Sequence, residues 1–115
     1  MAARTPEEIF GHHATALTGA DIDELVADYS DDAVFVSPDG VLHGTAGVRK
    51  AFETLLALVP DARWDVPTAV YADDLLLIEW SARSTLNDLI DGVDTFVFRD
   101  GMIRAQTVRY TVHPH

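Results

Sequence analysis

Apolar side chains recur every three or four residues through the first half of the chain and every second residue through the rest, so helices are expected first and strands after them. Thr5-Pro6-Glu7-Glu8 combines a capping threonine, a proline at the first helical position and an acid three residues beyond the cap. That is a helix start, and it predicts a helix from Pro6 to about Leu17. Ile9, Phe10, Ala14, Ala16 and Leu17 form its apolar stripe, with His13 on the edge of the stripe. A second helix is expected after Asp21, with Glu24 as reciprocal cap and Ile22, Leu25, Val26 and Tyr29 at helical spacing. Ala33 to Ser37 reads as a short strand, Pro38-Asp39-Gly40 as a turn and Val41 to His43 as the return. A third helix follows Gly44-Thr45. Val48, Ala51, Phe52, Leu55, Leu56 and Val59 mark its buried face, Arg49, Lys50 and Glu53 point outward, and Pro60 stands just past its end.

Beyond that proline the period changes to two. Trp64, Val66, Thr68 and Val70 alternate, Ala72-Asp73-Asp74 turns, and Leu75 to Leu86 is long and β-like. Phe96 to Arg99, Asp100-Gly101 and Met102 to Val112 form a hairpin, whereas Asn87 to Gly92 holds two turn signals and leaves the strand boundary open. Within the long middle strand Leu75, Leu77, Glu79, Ser81 and Arg83 alternate with Leu76, Ile78, Trp80 and Ala82. Both sets are apolar at one end, and the Trp80 set is taken as a candidate dimer interface, with Glu79 and Arg83 either a pocket ion pair or a surface pair. The order α-α-β-β-α followed by about four antiparallel strands gives an α+β fold with helices on one face of a curved sheet.

A chain of 115 residues fits one domain, here residues 1–115, and can bury a core without staples. Cysteine is absent, which removes disulfides, thiolate nucleophiles and cysteine-type zinc sites. The formal net charge of -11 repels phosphate backbones and anionic headgroups, so no nucleic acid and no membrane are expected as partners. The start, Met1-Ala-Ala-Arg-Thr-Pro, lacks the apolar run of a secretory signal, and a cytoplasmic location is the expectation.

Three runs carry a resemblance: Asp21 to Phe35, Gly44 to Phe52 and Asp94 to Ile103. Together they resemble the nuclear transport factor 2-like superfamily, in its SnoaL-like and ketosteroid isomerase-like branch. The resemblance implies a cystatin-like α+β roll: a strongly curved, mixed but mostly antiparallel sheet, packed against three helices from the N-terminal half. The shape it implies is a cone with an internal apolar pocket, and it implies a homodimer through the outer sheet face. Asp94 stands where ketosteroid isomerase keeps a protonated aspartate that donates to the developing oxyanion. His13 replaces the oxyanion tyrosine of helix one. Ser37 replaces the catalytic base and has no useful basicity near neutral pH, so the resemblance does not carry steroid isomerisation over.

Asp94 and His13 are therefore the candidate catalytic residues, and Tyr110, Gln106, Ser37, Phe96 and Val108 the candidate ligand contacts. Asp94 shares a strand face with Phe96 and Phe98, where burial would raise its pKa; the alternative is a solvated loop end. His13 titrates in the useful range or else only packs. Tyr110 either meets a ligand or closes the cavity wall. No metal is expected, because the adjacent His12 and His13 diverge by ~100° on a helix and cannot chelate from one face. The expected activity is cofactor-free proton transfer next to a carbonyl on a small hydrophobic molecule, of isomerase, cyclase or dehydratase kind. In that reading His13 moves the proton and Asp94 positions it or stabilises the enolate oxygen. Capture of a hydrophobic ligand without turnover and a dimeric interaction domain are the alternatives.

Overall fold

The computed structural model describes residues 3–115. Met1 and Ala2, part of the segment that lacks a secretory pattern, lie outside them. The order of elements is α1 (Pro6–Thr18), α2 (Ile22–Ala27), β1 (Tyr29–Ser37), β2 (Gly40–His43), α3 (Gly44–Leu58), β3 (Arg63–Ala72), β4 (Leu75–Arg83), β5 (Asn87–Arg99) and β6 (Met102–Pro114). Helix α1 starts where its capping signals place it: the Glu8 amide donates to the Thr5 hydroxyl at 3.2 Å, and the Thr5 amide donates to the Glu8 carboxylate at 2.9 Å. The six strands form one mixed sheet in the order β2-β1-β6-β5-β4-β3. Only β1 and β6 run parallel, and the other neighbours are antiparallel. The α+β architecture is the expected one, with three helices against an open sheet. Among the described residues no helix is long and apolar enough to cross a membrane.

The end of α2 differs from the sequence reading, β4 stops at Arg83 short of the expected Leu86, and the boundary left open falls at Asn87. Tyr29 opens β1 instead of ending α2. The cause is Asp28, whose carboxylate accepts from Arg4 Nη1 at 2.8 Å and meets His12 Nδ1 at 2.7 Å, while its carbonyl accepts from the Ile103 amide at 2.8 Å. Those partners pull the backbone out of the helix and into the sheet. The Asn87–Gly92 segment belongs to β5, not to a loop. Ser84 turns the chain by capping the Asn87 and Leu86 amides, and the Asp91-Gly92 signal becomes a bulge, with Asp91 at φ 56° and pairing interrupted between Ile90 and Val93.

The two faces of β4 are the reverse of the expected assignment. Leu76, Ile78, Trp80 and Ala82 are buried beneath the helices, and Leu75, Leu77, Glu79 and Arg83 are exposed on the outer face. The Trp80 set is thus no dimer interface, and Glu79 and Arg83 are no pocket pair. Pleating decides both, since one face of every strand must follow its neighbours: the inner row Leu42–Phe35–Gln106–Phe96–Leu76–Tyr71 crosses all six strands.

Candidate active site

A cavity of about 670 Å³ lies between α1, α3 and the inner face of the sheet. His13 reaches it from α1, Asp94 from β5, Ser37 from the end of β1, and Gln106, Val108 and Tyr110 from β6. The structure thus gathers six of the seven candidate residues at one space. Phe96 is the exception: it is fully buried, does not line the cavity and instead backs His13 with ring centroids 5.5 Å apart. The strand register explains this, because Phe96 faces Gln106 and Leu76 beneath the helices, one step deeper than Asp94.

Asp94 is 6 % exposed and accepts two hydrogen bonds, from Trp80 Nε1 at 2.8 Å and from Gln106 Nε2 at 3.0 Å. The Tyr29 hydroxyl in turn donates to Gln106 Oε1, which fixes the Gln106 amide with its NH₂ toward the carboxylate. Burial disfavours the charged form and outweighs the two hydrogen bonds, raising the pKa from the usual 3.8 to about 7. The group is consequently split between its two forms near neutrality. A neighbouring glycine makes the Trp80 contact possible: a Cβ on Gly92 would sit 2.5 Å from the indole, so only a bare backbone lets the ring lie across β5 and aim its N–H at Asp94.

His13 is 3 % exposed among aromatic rings, with Phe52 at 5.6 Å and Tyr29 at 6.1 Å, and its Nδ1 has no hydrogen-bond partner among the described residues. Burial lowers its pKa from 6.5 to about 4, so the imidazole is neutral at pH 7. The sign of the linkage is fixed by that direction. The folded protein binds fewer protons at His13 than the unfolded chain between about 4 and 6.5, and stability is lost as pH falls through this window. His13→Leu is expected to abolish that loss. It should gain about 2 kcal/mol at pH 5 relative to its effect at pH 8, read as the difference in urea midpoints. Equal effects at both pH values would show that the imidazole is not held neutral by burial.

His12 points away from the cavity to Asp28 and Glu24, and His43 pairs with Val34 on the outer sheet face. Sequence reasoning missed Tyr29 and Trp80 as parts of the site. For Trp80 a signal existed: its alternating set carries no charge, whereas the other set carries Glu79 and Arg83. Among the described residues no three His, Asp or Glu side chains converge in a way that would hold a metal ion.

A SnoaL-like domain model matches residues 10–106. The chain belongs to the SnoaL-like family. The sequence of this SnoaL-like protein matches none of the curated proteins. Its fold is shared with IdmH from Streptomyces antibioticus, provisionally described as a polyketide cyclase, at TM-score 0.80 and 19% identity over 93% of this chain and 92% of that one. A cystatin-fold protein from Novosphingobium aromaticivorans superposes at TM-score 0.78 with 17% identity over 93% and 99% of the two chains. AclR from Streptomyces galilaeus, provisionally a hydroxylase, gives 0.76 with 18% identity over 91% and 87%. At these identities the likeness establishes the fold of the SnoaL-like protein and leaves its chemistry to the site.

Proposed function

We propose that this SnoaL-like protein is a cofactor-free enzyme that moves a proton next to the carbonyl of a small hydrophobic metabolite, as isomerases, cyclases and dehydratases do. One observation carries the reading: a buried carboxyl on the cavity wall whose pKa lies near neutrality. Ionised Asp94 takes the α-proton and, once protonated, returns it to another carbon of the same molecule. Neutral His13 supports the enolate oxygen by donating a hydrogen bond, since an imidazole with a pKa of about 4 is too weak a base to compete with Asp94. The roles of the two residues are thereby exchanged relative to the sequence expectation. Ser37, Gln106, Val108 and Tyr110 hold the substrate, and Trp80 keeps the carboxylate aimed.

The test is deuterium wash-in from heavy water into a panel of apolar ketones, followed by NMR. Exchange that requires the protein and rises with pH through about 7, the value at which Asp94 ionises, supports the reading. Protein that binds the ketones and returns them unlabelled would replace it with ligand capture, a reading that the serine at position 37 favours.

A second copy of this chain is the proposed partner, on the outer sheet face. The row Val41–Val36–Thr107–Thr95–Leu77–Val70 crosses all six strands on that side without a charge, and Val70, Leu77 and Val41 are 56, 41 and 51 % exposed. Sedimentation should give twice the monomer mass for the parent and the monomer mass for Leu77→Arg. A parent that sediments as a monomer at micromolar concentration would reject the dimer.

A further inference from the structure

Three aromatic rings stand together in the wall of the cavity. Trp80 lies between Trp64 and Tyr110, with ring centroids 5.7 and 5.6 Å away and planes tilted by 49° and 58°. Both outer rings are inclined to the indole, and all three residues line the cavity. One side of the indole packs on the Gly92 backbone, where a Cβ would come within 2.5 Å, and the ring, 7 % exposed overall, meets the cavity from the other side. At its edge the indole N–H donates to the Asp94 carboxylate at 2.8 Å. That bond pushes electron density into the ring and makes its face more negative.

We propose that the cavity contains a subsite for an alkylated ammonium group, seated on Trp80 between Trp64 and Tyr110. Quaternary and tertiary ammonium ions are attracted to the negative faces of aromatic rings, most strongly to tryptophan, and lose little on leaving water because their charge is spread over alkyl groups. A neutral alkyl group of the same shape would gain only its burial. The charges nearby favour a cation: Asp94 adjoins the indole, Asp39 acts on the Tyr110 hydroxyl, and the whole chain carries -11. The cationic side chains in the cavity wall do not occupy the box. Lys50 stands at an exposed position on α3, and Arg109 donates to the Asp91 carbonyl at 3.4 Å. The subsite is independent of whether Asp94 turns a ligand over, since it rests on the rings and the charges around them and not on catalysis.

Isothermal titration with choline and with 3,3-dimethylbutan-1-ol, its uncharged isostere, tests the subsite. Choline should bind roughly tenfold more tightly than the alcohol, the margin that a desolvated cation–π contact provides. Trp64→Leu and Tyr110→Leu should each bring that ratio toward one, and Tyr110→Phe, which keeps the ring and loses the hydroxyl, should preserve it. If Trp64→Leu does not fold, the two Tyr110 variants carry the comparison. Equal binding of both probes by the parent, absence of binding at millimolar concentration, or a ratio unchanged in the leucine variants would overturn the proposal. Choline has no carbonyl, so this result and the deuterium exchange experiment can fail separately.

Discussion

Asp94→Asn should slow proton exchange by about 10²–10⁴-fold while making the folded protein more stable above pH 7. The amide cannot accept a proton near neutrality, which accounts for the first effect. The second follows from linkage. With the folded pKa raised to about 7 from 3.8, the native state binds more protons than the unfolded chain within that window. Stability therefore falls as pH rises through it, by a few kcal/mol, roughly, once Asp94 is fully ionised. Asparagine removes that loss. Its oxygen can still accept from Trp80, but its NH₂ would face the Gln106 amide nitrogen, so Gln106 must turn over and donate to the Tyr29 oxygen instead. Thermal midpoints of parent and variant at pH 5 and pH 8 check the stability arm. A variant that gains no more at pH 8 than at pH 5 would show that burial does not hold the Asp94 proton.

The largest effect on stability is expected away from the cavity. Asp28 is fully buried and joins four parts of the chain: Arg4, His12 of α1, its own place after α2, and Ile103 of β6. Asp28→Ala should cost about 3 kcal/mol, the low end for a broken buried ion pair, because Arg4 and His12 are 37 and 38 % exposed and regain water. For a domain of this size that lowers the melting midpoint by roughly 10 °C. Asp28→Asn keeps an acceptor and should cost less. NMR titration supplies an independent check. The bond to Asp28 is the main reason the His12 pKa is raised, so it should fall in both variants, and an unmoved His12 would remove the electrostatic account.

Local signals carried the fold far. The Thr5–Glu8 box and the Asp21 cap place two helix starts correctly because capping involves residues three apart. The faces of β4 were not legible in the same way. Leu75, Leu76, Leu77 and Ile78 are all apolar, so period-two reasoning returns two equal answers, and only pairing with β5 separates them. The site shows the same division. Asp94 stood out as a lone acid among apolar neighbours, and His13 as a polar residue on a buried stripe. What sets their chemistry was out of reach, since Trp80, Gln106, Tyr29 and Phe52 arrive from distant positions through register and helix packing. The exchange of roles proposed for Asp94 and His13 depends on those surroundings and not on either residue's type.

The parallel pairing of β1 with β6 has a kinetic consequence. Phe35 lies beside Gln106, so the middle of the sheet is a contact between early and late chain, and closing so long a loop slows folding. On the ribosome the hairpin of β1 and β2 and the helices emerge long before their neighbour does. Until β6 arrives, β1 keeps an open edge able to pair with another nascent chain. Gln106 and Tyr110 travel on that same last strand, so the cavity wall is incomplete until β6 docks, and intermediates short of it would show helical signal without an enclosed cavity.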